Sequence, residues 1–228
     1  MIRSLLLATS LIVSGALLPM EASAAQPANV GDAIIAASAY HDSGDYQRDF
    51  DSVVAQARLW IDEAAPKTRR PAIVLDIDET TLSNWDEIRA DDFGYIAAGP
   101  CDALPKGPCG AIEWEKSGRA PAFASMRALI ENAQAHHVAV FFVTGRHEDE
   151  REATERNLHL AGIRSWDGLY LRPMTSHGYA ALYKAPTRER IERKGYTIIA
   201  SLGDQPSDLS GGFAKKTFLL PNPFYRIP

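Results

Sequence analysis

A short apolar run, Ala72-Ile73-Val74-Leu75, leads directly into two acids, Asp76 and Asp78. No other feature restricts the fold of this chain as much. A continuous apolar run of this length suits a strand covered on both faces, and such strands belong to parallel sheets. The pattern returns at residues 138–143, 169–171, 196–200 and 217–220. Helical patterns separate several of these runs. Residues 121–135 place Pro121 at a first turn and apolar Phe123, Met126, Leu129 and Ile130 behind it. Residues 147–160 open on Glu148, Asp149 and Glu150, which suit a helix N-terminus, and residues 187–194 carry basic side chains before Gly195. Strands alternating with helices predict an α/β fold, a mostly parallel sheet with helices on both faces. Residues 25–66 read as a helical part that Pro66 stops. Residues 85–120, rich in Gly, Pro and aromatics, break the rhythm and read as a small cap insertion after the first strand.

Composition narrows the class. The chain has 228 residues, 46% of them apolar and 23% charged, which excludes a disordered tail, a collagenous repeat and a disulfide-dense miniprotein. A net charge of −5 argues against a nucleic-acid polymer as partner, since that needs a basic footprint. Residues 1–24 have the layout of a cleavable signal peptide: Arg3, an apolar stretch from Leu5 to Leu18, then Ala22-Ser23-Ala24. The run is short for a spanning helix. The expected mature domain is 25–228, cut near Ala24, periplasmic or secreted, with no membrane anchor. Cys101 and Cys109 are the only cysteines. An oxidising compartment would let them form a disulfide. The rival reading is a metal site, but two thiolates without a partner His or Cys make a poor zinc site.

Ligands of open parallel sheets bind beyond the carboxyl ends of the strands. Asp76 and Asp78 follow the first predicted strand, Thr144-Gly145-Arg146 the second, and Asp204 and Asp208 the fourth. Such a fold would gather four acids into one crevice. They repel one another, and burial makes their charged forms worse. A divalent cation would offset them, and oxygen-only ligation suits Mg²⁺. Helix caps or turns would explain Asp204 or Asp208 singly. They explain Asp76 and Asp78 badly, because an apolar strand running into two acids needs a partner charge.

Asp76-Ile77-Asp78-Glu79-Thr80 resembles the first motif of the haloacid dehalogenase superfamily, Asp-x-Asp-x-Thr. The stretch 141–146, the stretch 203–209 and the ending Phe218-Leu219-Leu220-Pro221-Asn222-Pro223-Phe224-Tyr225 are similar to class B-like acid phosphatases, the plant secreted and bacterial outer-membrane types. Four motifs in this order carry the likeness over nearly all of residues 25–228. The bacterial lipoprotein members carry a lipidated Cys that this chain lacks. The resemblance implies a Rossmann-like sheet and a Mg²⁺-dependent acid phosphatase acting on small phosphate monoesters.

By that resemblance Asp76 is the nucleophile that forms an aspartyl-phosphate, and Asp78 is the general acid and then base. Burial and like charges are expected to raise the Asp78 pKa. The Mg²⁺ ligands would be the Asp76 side chain, the Asp78 backbone carbonyl and the Asp204 side chain, with Asp208 orienting a bound water. Thr144 and Gly145 would hold phosphate oxygens. Lys184, forty residues after Thr144, is expected to pair with Asp76 and the phosphate. Arg172 is a rival cation and Arg146 a weaker one. Trp85, Phe93, Tyr95 and Trp114 either stack on a nucleobase or aryl ring or close a small core around the cysteine loop. A 5′-nucleotidase fits the first reading. The six histidines show no metal spacing, and His147 is at most a rim residue. A non-catalytic storage or phosphate-binding relative, and a phosphotransferase, stand as alternatives.

Overall fold

The computed structural model describes residues 27–176 and 178–227. The signal-peptide reading of residues 1–24 lies outside the described residues, as does His177. Two helices open the described residues. In α1 (Val30–Asp42), Asn29 caps the N-terminus by accepting the Gly31 and Asp32 N–H groups. The second, α2 (Asp45–Ala64), follows Gly44, which takes a left-handed φ of 82°. Its buried stripe is Tyr46, Phe50, Val54, Ala57 and Ile61, spaced at helical intervals. The helix ends in a turn at Ala65–Lys67 that contains Pro66.

Five strands form one wholly parallel sheet: β1 (Pro71–Leu75), β2 (Ala139–His147), β3 (Gly168–Arg172), β4 (Thr197–Gly203) and β5 (Thr217–Leu219). Their order is β3-β2-β1-β4-β5. The chain works outward from β1 on one side and then crosses to the other, so the switch point lies between β1 and β4. Alternate residues serve opposite faces. Ile73, Leu75, Val140, Phe142 and Ile199 join one apolar cluster with the α2 stripe and with Met126, Leu129, Ile130 and Ala133 of α5 (Ala124–Ala135). Ala72, Val74, Phe141, Val143 and Ile198 pack on the other face against Tyr183 and Ile191. Cover on both faces explains why these strands read as unbroken apolar runs.

Between β1 and β2 lie α3 (Trp85–Ala90), an irregular stretch and α4 (Ala111–Ser117), followed by α5. A Cys101–Cys109 disulfide closes the irregular stretch, as expected for the first of the two cysteine readings. The remaining helices are α6 (Arg151–Leu160), α7 (Ala181–Arg193) and the single turn α8 (Pro206–Leu209). Three boundaries depart from the sequence reading. The helix expected over 121–135 begins at Ala124, because the Pro121 carbonyl is used instead to accept the Ser83 N–H at 2.9 Å. The helix expected from residue 147 opens as a single 3-10 turn at Glu148–Glu150 and becomes α-helical at Arg151, since β2 runs on to His147. The helix expected over 187–194 begins six residues earlier and keeps Pro186 inside it. Proline there leaves the Leu182 carbonyl without its usual partner, but Leu182 is exposed, so water reaches that turn. The earlier start is what puts Lys184 on a helix facing the sheet.

Candidate active site

The site grows from the tips of β1 and β4. At the end of β1 the Asp76 N–H still bonds the Leu202 carbonyl of β4 (3.1 Å), so both strand ends are held side by side. The chain then folds into a tight turn in which Thr81 and Leu82 both donate to the Ile77 carbonyl at 2.8 Å. Glu79 sits in this turn at a φ of 49°. After β4, Gly203 leads into Asp204. A Cβ on Gly203 would lie 2.2 Å from the Asp208 Cβ, so any side chain at this position would displace that acid.

Asp76, Asp204 and Asp208 come together, with one carboxylate oxygen from each lying within 4.8 Å of the others, and all three are buried. Lys184 reaches into the group from α7. Its Nζ is 2.7 Å from Asp76 Oδ1 and also donates to Asp208. Burial by itself would lower the Lys184 pKa, but Asp76 and Asp208 together raise it well above the usual range. Burial pushes the Asp76 carboxyl well up, as does repulsion from Asp208, and Lys184 opposes only part of this. Burial and Asp208 likewise lift Asp204 to about 6, against the donors Asn222 and Gln205. One lysine faces three acids, so the cluster carries two unbalanced negative charges when ionised. That donor set fits a doubly charged, oxygen-preferring cation.

Asp78 does not join this cluster. It shares the cavity with Asp76 and Asp204, but its carboxylate is forked by Arg146: Nη2 donates to Oδ1 at 2.7 Å, and Nε lies 3.1 and 3.2 Å from the two oxygens. Asn84 Nδ2 adds a third donor at 3.0 Å. The expectation of a raised Asp78 pKa is therefore corrected. Burial pushes it up, but Arg146, with Asn84 and Lys184 added, outweighs burial and holds the carboxyl below its ordinary value. Arg146, ranked weakest among the cations from sequence, is thus a fully buried partner of Asp78. Arg172, ranked above it, bonds the Gly178 carbonyl (2.7 Å) rather than any of the acids.

Thr144 is buried and its Oγ1 accepts the Arg146 N–H at 3.1 Å. Gly145 borders the cavity, with open space where a Cβ would stand. Asp208 accepts from Lys184 and from the Gln205 N–H (2.9 Å).

Two residues escaped the sequence reading. Arg188, almost wholly buried, donates to the carbonyls of Asp208, Ser210 and Gly212 and so fixes the loop bearing Asp208. In the sequence it is one of several basic residues near a helix end, and nothing marks it out. Glu79 is buried, accepts the Asn84 N–H (2.6 Å) and the Tyr225 hydroxyl (3.0 Å), and burial raises its pKa to about 8. Its position inside the Asp-x-Asp-x-Thr stretch was the available signal.

The cavity holds about 610 Å³. The aromatic segment divides between the two readings. Trp114 is core, its Nε1 donating to Asn84 Oδ1 at 2.8 Å. Trp85 stacks on His41 with ring centroids 3.5 Å apart. Phe93 and Tyr95 line the cavity with Ile88, Ile112 and Phe224, and His147 lies on its border. Glu87 also lines it. Burial, followed by repulsion from Asp91 and Asp78, lifts Glu87 from 4.5 to about 7. A carboxyl whose folded pKa is raised destabilises the fold as pH climbs from its unfolded to its folded value. Glu87→Gln is therefore expected to gain about 1–2 kcal/mol over wild type at pH 8, allowing for partial solvent screening, and nothing at pH 4. Urea unfolding at both pH values checks this.

An α/β sheet that gathers acids at its switch point and seats a buried lysine among them is the architecture of the haloacid dehalogenase phosphatases. This chain belongs to the HAD superfamily, subfamily IIIB (acid phosphatase), whose family profile matches residues 7–228. It is 34% identical over 160 residues to acid phosphatase 1 of Solanum lycopersicum, covering 69% of this chain and 60% of that protein. A stem 28 kDa glycoprotein of Glycine max is 32% identical over 204 residues, 86% of this chain and 75% of the relative. Vegetative storage protein 1 of Arabidopsis thaliana is 29% identical over 189 residues, 82% and 67% of the two chains. Among solved structures, the class C acid phosphatase of Bacillus anthracis with tungstate bound has the same fold. Its TM-score is 0.69 at 21% identity, with 86% of both chains covered.

Proposed function

We propose that the chain is a Mg²⁺-dependent phosphomonoesterase working through an aspartyl-phosphate on Asp76. One observation carries this reading: three buried acids face a single lysine at the sheet's switch point. Asp76, Asp204 and the Asp78 backbone carbonyl would hold the cation, with Asp208 behind them against Lys184. When bound, Mg²⁺ neutralises the phosphate so that an anionic nucleophile can approach it.

The chain's own groups do the rest. Lys184, the Gly145 N–H and the Thr144 hydroxyl bind phosphate oxygens, and the hydroxyl is free to donate because its oxygen accepts from Arg146. Asp76 attacks phosphorus as the bond to the leaving oxygen breaks. Asp78, which Arg146 keeps ionised in the free protein, takes up a proton as the anionic phosphate enters beside it and passes that proton to the leaving oxygen. Asp78 then takes a proton from water, which attacks the aspartyl-phosphate and frees both phosphate and Asp76. The Arg146 fork holds the Asp78 carboxyl in one orientation for both transfers.

The apolar wall of Phe93, Tyr95, Ile88, Ile112 and Phe224 favours an aromatic leaving group, of which a nucleoside monophosphate or an aryl phosphate is an example. Export is supported by the Cys101–Cys109 disulfide and by relatives named as glycoproteins. A second reading, a storage protein without turnover, is favoured by the vegetative storage relatives. The presence of both Asp76 and Asp78 disfavours it. Phosphate release from a nucleotide, an aryl phosphate and a sugar phosphate decides between them. Turnover is expected with the two aromatic esters, lost in EDTA and restored by Mg²⁺. No release from any ester would leave the storage reading, and product analysis with an added alcohol detects phosphoryl transfer.

A further inference from the structure

We propose that the segment after β5, residues 220–227, is a strap that positions Asp204, with Asn222 as the positioning residue, and that cation binding in turn tightens the strap. The inference rests on the reading of Asp204 as a cation ligand. Asp204 Oδ2 accepts two amide donors, Gln205 Nε2 at 2.6 Å and Asn222 Nδ2 at 2.7 Å. A carboxylate oxygen has two lone-pair directions in its plane, so Oδ2 is filled. Oδ1 accepts the Thr80 hydroxyl at 3.1 Å and keeps a direction open. Asn222 and Gln205 therefore select which oxygen of Asp204 is offered to the cation.

The same two amides hold the strap by their other ends. Asn222 Oδ1 accepts the Phe224 and Tyr225 N–H groups at 2.9 and 3.3 Å. Gln205 Oε1 accepts the Ile227 N–H at 3.0 Å. Turning either amide over would set NH₂ against backbone N–H and oxygen against carboxylate oxygen, so only one orientation satisfies both ends. Further on, the Tyr225 hydroxyl reaches Glu79, and the Phe224 ring packs on Tyr46 and Trp85 with centroids 4.9 and 5.1 Å apart. Each amide is thus a two-ended link between one carboxylate and the strap backbone. Whatever orders Asp204 also orders the strap, and the reverse follows because coupling between two binding events is reciprocal. Phe224, Tyr225 and Ile227 line the cavity, so the link joins the cation site to the wall facing the leaving group.

Calorimetric titration of the metal-free protein with Mn²⁺ or Mg²⁺ tests this without reference to turnover. Asn222→Ala is expected to bind about 10- to 100-fold more weakly, the usual effect of removing a partner that orients a ligand. Hydrogen exchange supplies a second readout on the wild type. The Phe224, Tyr225 and Ile227 amides are expected to exchange more slowly with saturating cation, and it decides the question alone if Asn222→Ala does not fold. Wild type that binds the cation, with equal affinity in Asn222→Ala and unchanged exchange at those amides, overturns the strap and leaves the cation site standing. Wild type that takes up no cation overturns the cation reading and the strap together.

Discussion

Asp76→Asn is expected to abolish turnover, by about 10⁴-fold or more, the scale on which loss of a covalent nucleophile acts. An amide of the same size cannot form the aspartyl-phosphate, while Lys184 keeps Asp208 as its partner, so the fold should survive. The loss should therefore appear in phosphate release while the circular dichroism spectrum stays that of the folded wild type. Asp78→Asn should lose less with a nitrophenyl ester than with an alkyl ester. A good leaving group needs no proton donor, and a poor one does. Wild-type rates in Asp76→Asn would refute the nucleophile. Equal losses for the two esters in Asp78→Asn would refute the proton donor.

Lys184→Met is expected to cost about 3–5 kcal/mol of stability, the effect of removing one partner from a buried ionic cluster. Lys184 touches both Asp76 and Asp208, so its loss leaves three close acids with no side-chain cation paired to their carboxylates among the described residues. The pH dependence of this deficit follows from the same cluster. Lys184 is charged across the whole accessible range because its pKa is raised, so the variant's deficit tracks the acids. Burial holds Asp76 well above its ordinary value, and it protonates readily once its partner is gone. The deficit should be largest at neutral pH and shrink as the acids are protonated at lower pH. Urea unfolding of both proteins between pH 4 and pH 8 measures it. A deficit that does not change with pH would mean that Lys184 acts through packing and not charge.

Much of this site was legible before any coordinates, for reasons that differ from residue to residue. The three central strands β1, β2 and β4 are covered on both faces, so their apolar runs are unbroken, and the acid that follows β1 stands out against its run. Lys184 could be placed only through motif order, since α7 is amphipathic in neither sequence nor boundary and contains Pro186. The partner of Asp78 was not legible in the sequence. Arg146 lies near the end of β2, 68 residues from Asp78, and only the register of β1 against β2 brings its side chain to that acid. Arg188 was illegible altogether, because it binds backbone carbonyls, which carry no residue identity.

The sequence by itself determined the order of elements and the supply of acids at strand ends, because periodicity and the cost of buried charge act locally along the chain. Only the tertiary structure decided which charges pair. Asp76 and Asp208 share Lys184, Asp78 takes Arg146, and Asp204 is held by Gln205 and Asn222. Electrostatic and hydrogen-bond partners are set by distances of a few ångströms between groups far apart in the chain. Those distances come from the sheet order and register, which no single segment encodes.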